Sequence, residues 1–550
     1  MKKLLLPAIA AVALVTSCSS SKVEVRKDVP FIWEGANMYF LLVDRFANGD
    51  TSNDVTLDRT KEAGKLRGFE GGDIKGIIQK IDEGYFDRLG INAIWLTPIV
   101  EQIHDATNEG TGNTYGFHGY WAKDWTRLDP NFGTEKDLAE MVQKAHRHGI
   151  RIVLDGVINH TGPVTESDPV WPTDWVRTAP QCKYDNYENT TACTLVRNLP
   201  DVLTESTESV VLPQFLVDKW KAEGRYEQEV KELDAFFERT GYPRAPKYYI
   251  IKWLTDYILD YGIDGYRADT VKHLGEDVWA DFSKQCDYAF AQWKEDNPGK
   301  VLDDSTFFTV GGVYGYGIWS QRQYDFGDKK VDYFANGFDA LINFEMKYDA
   351  AKPDEETFTK YSNILNNGLK GKTVLNYLAS HDDGGPYDKQ RTKSYEAAVK
   401  LLLTPGISQV YYGDETARPL DIPGTEGDAT LRSFMNWDAV ANDAKTQDVL
   451  LHWQKLGVFR RNHPAVGAGV HKMISNAPYV FQRTYTKDSF TDTVVIGLSL
   501  PKGTKTISTG GVFKDGTKVR DAYSGKETVA YMGNVTLDTE YTILLLEQIK

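Results

Sequence analysis

Apolar and polar positions along this chain alternate between two rhythms. Short, nearly continuous apolar runs of strand length recur at MYFLLVDRF (38–46), NAIWLTPI (92–99), RIVLDGVIN (151–159), IDGYRAD (263–269), TFFTVGG (306–312) and TVLNYLASH (373–381). Between them lie stretches with helical spacing of apolar residues, such as EKDLAEMVQKAHRHG (135–149) and KYYIIKWLTDYILDYG (247–262). Strands that alternate with helices over most of a chain predict an α/β architecture with a parallel sheet, most simply a closed (β/α)8 TIM barrel. Chemistry in such barrels sits at the C-terminal ends of the strands.

The rhythm breaks twice. Residues 161–246 are polar and hold a charged helical run, KWKAEGRYEQEVKELDAFFERTG (219–241), which reads as a large insertion after the third strand. From about residue 465 onward YVFQRTY, TVVIGLSL, VFKDGTKVRDAYSG and YTILLLE alternate with Gly, Asp and Lys turns. That pattern predicts an antiparallel β-domain over 465–550, so the barrel itself is assigned to 28–160 and 247–464.

Composition narrows the partners. The 550-residue chain is 41% hydrophobic and 26% charged, with a formal net charge of −15. An acidic surface repels nucleic acid and anionic lipid head groups and suits a neutral substrate. The 30 Tyr, 24 Phe and 13 Trp serve packing, and some can offer flat platforms to sugar faces.

The N-terminus reads as a targeting segment. Lys2 and Lys3 precede the apolar run LLLPAIAAVALV (4–15), which is too short for a stable transmembrane helix. It ends in Val15-Thr16-Ser17-Cys18, which resembles a bacterial lipobox. The resemblance implies a lipoprotein signal segment (1–18) that ends at the lipobox Cys, cleavage before Cys18, a lipidated Cys18, and a periplasmic or outer-membrane lipoprotein tethered through Ser19, Ser20 and Ser21. Export permits disulfides. Cys182 and Cys193 lie close together in a polar, loop-like stretch and are expected to pair, leaving Cys286 as a buried thiol in a helix.

Three strand ends carry the candidate chemistry. Asp155-Gly156-Val157-Ile158-Asn159-His160 closes one, Arg267-Ala268-Asp269 closes another and is followed by Lys272-His273, and His381-Asp382-Asp383 closes a third. A single Asp at a strand end is often only a helix N-cap. Carboxylates that converge on one barrel mouth, each with a cationic or hydrogen-bonding companion, are the usual equipment for glycoside hydrolysis.

These motifs resemble those of the α-amylase superfamily, glycoside hydrolase family 13, in order and over nearly the whole chain. MYFLLVDRF is similar to its first strand, YGFHGYW (115–121) to a loop facing the reacting sugar, DGVINH, GYRADTVKH and SHDD to three signature regions, and YYGDE (411–415) to the segment after the seventh strand. The stretches from NLPDVL to GYRADTVKH are similar to exported periplasmic α-amylases of Gram-negative bacteria. The resemblance implies a barrel (domain A), an insertion at 161–246 (domain B), a C-terminal β-sandwich (domain C), a monomer, and an α-glucan substrate.

It also implies roles. Asp269 matches the nucleophile that forms a covalent glycosyl-enzyme. Arg267, two residues earlier on the same strand, faces the same side and keeps Asp269 ionised. Asp382 matches a carboxylate that grips sugar hydroxyls; His118, His160 and His381 match hydroxyl-binding histidines, and Tyr120 the ring beneath the reacting sugar. Lys272 and His273 match a pair on the leaving-group side, and Asp155 reads as a support for the site.

Asn48, Asp50, Asn53, Asp54, Gly71 and Asp73 supply oxygen ligands around tight turns, which suits Ca²⁺; a solvated turn loop is the alternative. The resemblance favours calcium, and it points to Asn159 as part of a second calcium site whose other ligands the sequence does not complete.

One position departs from the pattern. TVGGVYGYG, aligned on its flanks, would read TVGEVYGYG in the family, so Gly312 stands where the general acid/base glutamate belongs. No Asp or Glu lies between 305 and 324, and Glu345 is too distant for a register shift. Two accounts fit: an α-amylase from which the acid was deliberately removed, or a natural homologue that binds glucan without cleaving it. The completeness of the other positions favours the first.

Overall fold

The structure is a computed structural model and describes residues 25–26 and 28–549. The signal segment, Cys18 and its serine tether lie outside the described residues.

Eight parallel strands close into a barrel: β1 (Asn37–Leu41), β2 (Ala93–Leu96), β3 (Arg151–Gly156), β4 (Gly265–Ala268), β5 (Phe308–Gly311), β6 (Ala340–Asn343), β7 (Thr373–Tyr377) and β8 (Ile407–Tyr411). Every residue of the eight is buried, as expected for strands covered on both faces. The six apolar runs become β1 to β5 and β7. The two strands that the pattern did not single out, β6 and β8, are short runs containing Asn343 or Ser408 and Gln409, whose polarity hides them. One expectation is corrected: YYGDE begins at the last residue of β8, Tyr411, and so belongs to the end of the eighth strand rather than to the segment after the seventh.

The helical spacing of 135–149 becomes a helix at Glu135–Arg147, opened by a Thr134–Asp137 capping box. The next predicted helix forms at Pro246–Tyr261, with Pro246 in its first turn and Gly262 in the left-handed conformation that ends it. Below the barrel, the Trp33 ring stacks on Phe308 at 4.0 Å and the Arg151 guanidinium lies 3.7 Å from the centre of the Phe31 ring. The N-terminal segment thereby plugs the end of the barrel away from the candidate chemistry.

Two excursions build the upper face. After β2, Val100–Gln102 pairs antiparallel with Ala122–Leu128, and the loop between them carries His118 and Tyr120. After β3, the insertion pairs Val176–Arg177 with Asp201–Val202 and joins Cys182 to Cys193 by a disulfide. The charged run at 219–241 is not one helix. It divides between Gln214–Ala222 and Tyr226–Thr240, with Gly224 at φ 72° between them. The insertion is anchored by Lys219, whose Nζ donates to Glu101 (2.6 Å) and Asp124 (2.5 Å), and by Trp220 against Trp253.

The C-terminal part is antiparallel. Strands β9 (Val470–Asn476), β10 (Tyr479–Lys487), β11 (Phe490–Leu498), β12 (Gly503–Ser508), β13 (Lys518–Asp521), β14 (Glu527–Val529), β15 (Asn534–Thr539) and β16 (Leu544–Gln548) form a six-stranded sheet in the order β9-β10-β11-β16-β13-β14 and a separate β12–β15 pair. Val480, Val495, Leu500, Ile507, Val519, Val535 and Leu544 fill their core. Cys286 is a buried free thiol in the helix Glu276–Asp296.

Candidate active site

Strand register assembles the first pair of charges. On adjacent β3 and β4, Asp155 and Arg267 are direct partners, so both side chains leave the sheet on the same face. Asp269 follows β4 at once and points back to the same guanidinium. Arg267 Nη1 donates to Asp155 at 3.0 and 3.1 Å and to Asp269 Oδ1 at 2.7 Å. Asp155 also accepts from the Tyr120 hydroxyl (2.8 Å) and from Trp95 Nε1 (3.2 Å).

The electrostatics follow from burial. The Asp155 side chain is fully inaccessible, and burial pushes its carboxyl up to about 7, although Arg267 pulls the other way. Burial pulls the Arg267 guanidinium down, but Asp155 and Asp269 more than offset it and raise it above its usual value. A guanidinium held in this way stays charged and fixes the orientation of both carboxylates.

Around this triad stand three buried imidazoles. Tyr120 and His381 stack at 5.2 Å with rings 15° apart, and His118 lies 5.9 Å from Tyr120. His160 Nε2 is 3.1 Å from the Tyr120 carbonyl, and the His381 carbonyl accepts from Arg432 Nε at 2.9 Å. Burial lowers all three histidines, His381 to about 4. Each ring is therefore neutral near pH 7 and can both donate to and accept from an uncharged hydroxyl. Asp382 sits at the rim of the mouth with a 45% exposed side chain, 3.7 Å from His381 Nδ1.

The other predicted residues divide. Lys272 Nζ reaches the Tyr324 hydroxyl at 3.3 Å and is ringed by Tyr184, Tyr314 and Tyr324, at 5.8, 5.2 and 5.8 Å from the ring centres. His273 is buried and turned toward the insertion, with Nδ1 3.1 Å from the Thr190 carbonyl. Sequence reasoning missed Trp95, Phe40 and Arg432, which brace the site from β2, β1 and the loop after β8. Trp95 and Phe40 stack at 3.7 Å and Phe40 packs edge-on against His381. Both lie in the apolar runs of the sequence, where nothing marks an aromatic as a site wall rather than core.

At Gly312 the backbone continues the ladder, with N–H donating to the Ala268 carbonyl at 2.9 Å. A Cβ there would stand 2.8 Å from Arg267 Nη2. The guanidinium lies against this glycine, and its Nε is buried without a partner. Glu345 does not stand in: its carboxylate is bound by Lys360 Nζ at 2.9 Å.

The oxygen-rich loop converges only in part. Asn48 Nδ2 donates to Asp54 Oδ1 (2.8 Å), and Gly71 packs so closely on both that an added Cβ would fall 2.5 Å from Asn48 Nδ2. Asn53 Oδ1 is buried without a partner, as expected of an oxygen that awaits a cation. Asp73 instead caps the helix Ile74–Asp82 by accepting from Gly76, Gly49 and Asp50 N–H groups, and Asp50 pairs with Lys75 at 2.6 Å. Among the described residues no three His, Cys, Asp or Glu side chains cluster as metal ligands. Near Asn159, the buried Asp201 is paired with Arg177 Nε at 2.8 Å.

Residues 40–451 match the family model for the alpha amylase catalytic domain. A periplasmic alpha-amylase from Escherichia coli (strain K12) is 34% identical over 531 residues, covering 85% of this chain and 73% of that protein. A cyclomaltodextrin glucanotransferase from Geobacillus stearothermophilus is 26% identical over 90% of this chain and 66% of its own length. Among solved structures, an Anoxybacillus alpha-amylase superposes with a TM-score of 0.64 at 24% identity, covering 95% of this chain and all of that one. A closed parallel barrel with carboxylates gathered at its mouth defines the class as a barrel glycoside hydrolase. The chain belongs to the α-amylase family.

Proposed function

We propose that the protein is built as an endo-acting, retaining hydrolase of α-1,4-linked glucans such as starch, glycogen and maltooligosaccharides, and that Gly312 leaves it strongly impaired. The observation that carries this reading is Arg267 bound to Asp155 and Asp269 beneath a wall of neutral His118, His160 and His381. Asp269 attacks the anomeric carbon while Asp382 and the imidazoles hold the sugar hydroxyls, and Tyr120 supports the ring at the cleavage point. Lys272 and His273 lie on the leaving-group side. A retaining mechanism uses the missing carboxyl twice, to protonate the departing oxygen and then to deprotonate water. Such help is worth about 10²–10⁴-fold. Starch has a poor leaving group and feels the loss in full.

Gly312 itself favours a second reading, a catalytically dead, membrane-tethered glucan-binding protein. A third, transglycosylation or cleavage of small oligosaccharides as an α-glucosidase, is supported by the likeness to a cyclomaltodextrin glucanotransferase. Reducing-sugar release from soluble starch, compared with Gly312→Glu at equal calcium, separates the first two. A gain of two or more orders of magnitude in the variant supports the hydrolase; two inactive proteins that both bind starch support the binding protein.

Ca²⁺ would be held by Asn48, Asn53, Asp54 and the Gly71 carbonyl, with Asp50 and Asp73 released from Lys75 and the helix cap to complete the set. Its part is to tie the loop after β1 to the barrel. Export to the periplasm fits the likeness to a periplasmic alpha-amylase from E. coli. Anchoring through Cys18 rests on the lipobox-like sequence alone, and a monomeric state on the resemblance.

A further inference from the structure

The insertion meets the barrel at an ion pair beside the candidate active site. In its short antiparallel ladder Arg177 and Asp201 are register partners. The same strand docks on the end of β3: Val202 N–H donates to the Asn159 carbonyl at 2.8 Å, Thr161 N–H donates to the Pro200 carbonyl at 3.0 Å, and Asp201 forms a β-bridge with His160. The Asp201 side chain is buried. It accepts from Arg177 Nε at 2.8 Å and from the Asn159 amide, while Arg177 Nη2 also pairs with Glu205 at the rim. A buried carboxylate needs a cation beside it. The family resemblance implies calcium at Asn159, and oxygens from Asn159, Asp201 and Glu205 would suit that ion. The residues present do not fit it. A guanidinium already takes both carboxylates, and a divalent cation would compete for the same oxygens against its positive charge.

We infer that Arg177 is the resident cation of this junction: its guanidinium takes the part of a metal ion, ties the insertion to the end of β3 and fixes His160 beneath the loop after β2, so that this side of the mouth forms without calcium. His160 Nε2 is then held 3.1 Å from the Tyr120 carbonyl. Arg177 is a positioning residue, since it reaches His160 only through Asp201. The junction is separate from the oxygen-rich loop after β1, whose calcium would be unaffected. For the part played by His160, this rests on the reading of the mouth as a glucan site.

The test uses the full chain with calcium added or chelated, and reads melting temperature, bound calcium per chain and maltoheptaose affinity by calorimetry, which needs no turnover. In chelator, Arg177→Ala is expected to melt several degrees lower than the parent and to bind maltoheptaose about fivefold to tenfold more weakly, the cost of one misplaced hydroxyl hydrogen bond. In calcium it is expected to bind one more ion than the parent and to recover most of both losses, because Asn159, Asp201 and Glu205 are then free to take the ion. Arg177→Lys keeps the charge and is expected to show neither the extra ion nor the calcium rescue. An Arg177→Ala protein whose calcium response equals that of the parent overturns the inference. Asp201→Asn gives a measurement that does not depend on Arg177→Ala folding: an unchanged calcium count relative to the parent supports the inference, and loss of one ion overturns it. If the calcium responses differ as expected but no protein binds maltoheptaose, Arg177 stands as the resident cation and the glucan reading falls.

Discussion

Arg267 and Asp269 meet at 2.7 Å through Nη1, the same nitrogen that binds Asp155, so one guanidinium corner orients two carboxylates from adjacent strands. The arrangement leaves the other edge of the guanidinium facing Gly312. Lysine has a single ammonium on a flexible stem and cannot reproduce this geometry. In a Gly312→Glu background, Arg267→Lys is expected to cut starch hydrolysis by about a hundredfold or more, since misplacement of a reacting group by about 1 Å costs that much. Unchanged kcat would show that charge alone, not orientation, is what Asp269 needs.

The junction of barrel and β-domain is expected to depend on pH. His463 is buried between Asp492 on β11 (2.9 Å from Nδ1) and Glu547 on β16 (2.8 Å from Nε2). Burial pulls the imidazole down, but the two carboxylates outweigh it and raise it above its usual value; Arg520, which also binds Glu547, is the facing cation. A raised folded-state value means that the stabilisation is fully present below the ordinary histidine range and is lost as pH rises through the raised value. His463→Gln is therefore expected to lower the melting temperature at pH 5.5–6 and to matter progressively less in more alkaline buffer. A pH-independent difference would indicate that only packing was lost.

Cys182 and Cys193, separated by 11 positions in sequence, close a short loop in the insertion. Loop-closure entropy for such a length is worth about 3 kcal/mol. Replacing both with Ser is expected to expose the segment around Tyr184 and Asn189 to limited proteolysis while the barrel stays folded. Cleavage elsewhere first would contradict that locality.

Calcium removal is expected to lower thermal stability if the loop after β1 holds the ion. At a hundredfold excess over Kd the ion contributes roughly 2.7 kcal/mol. Asp54→Asn should abolish most of the calcium-dependent shift in melting temperature, and Asp50→Asn less, because Asp50 is paired with Lys75. A shift unaffected by Asp54→Asn would move the site elsewhere.

Six of eight barrel strands, the two flanking helices, the C-terminal antiparallel domain and the Cys182–Cys193 pairing were legible in the sequence, because continuous apolar runs and helical spacing report burial directly. So was the position of Gly312, since a missing residue type in a recognisable motif is a local fact. β6 and β8 were not legible: four or five residues with Asn343, Ser408 and Gln409 carry too little apolar signal, and their polar groups find partners only once neighbouring elements pack, as Asn343 does with its register partner Asn376 on β7 at 2.8 Å. The single charged helix expected at 219–241 became two, because Gly224 adopts a positive φ that a side chain resists.

Sequence by itself determined the barrel class, the residue types at its mouth and the absence of a glutamate at position 312. Only the tertiary structure decided how those residues meet. Strand register put Asp155 beside Arg267, the loop after β2 brought Tyr120 and His118 over them, and closure of the insertion turned His273 toward Thr190. These are contacts between residues far apart in the chain, and their geometry is set by sheet pairing and packing, which no local pattern encodes.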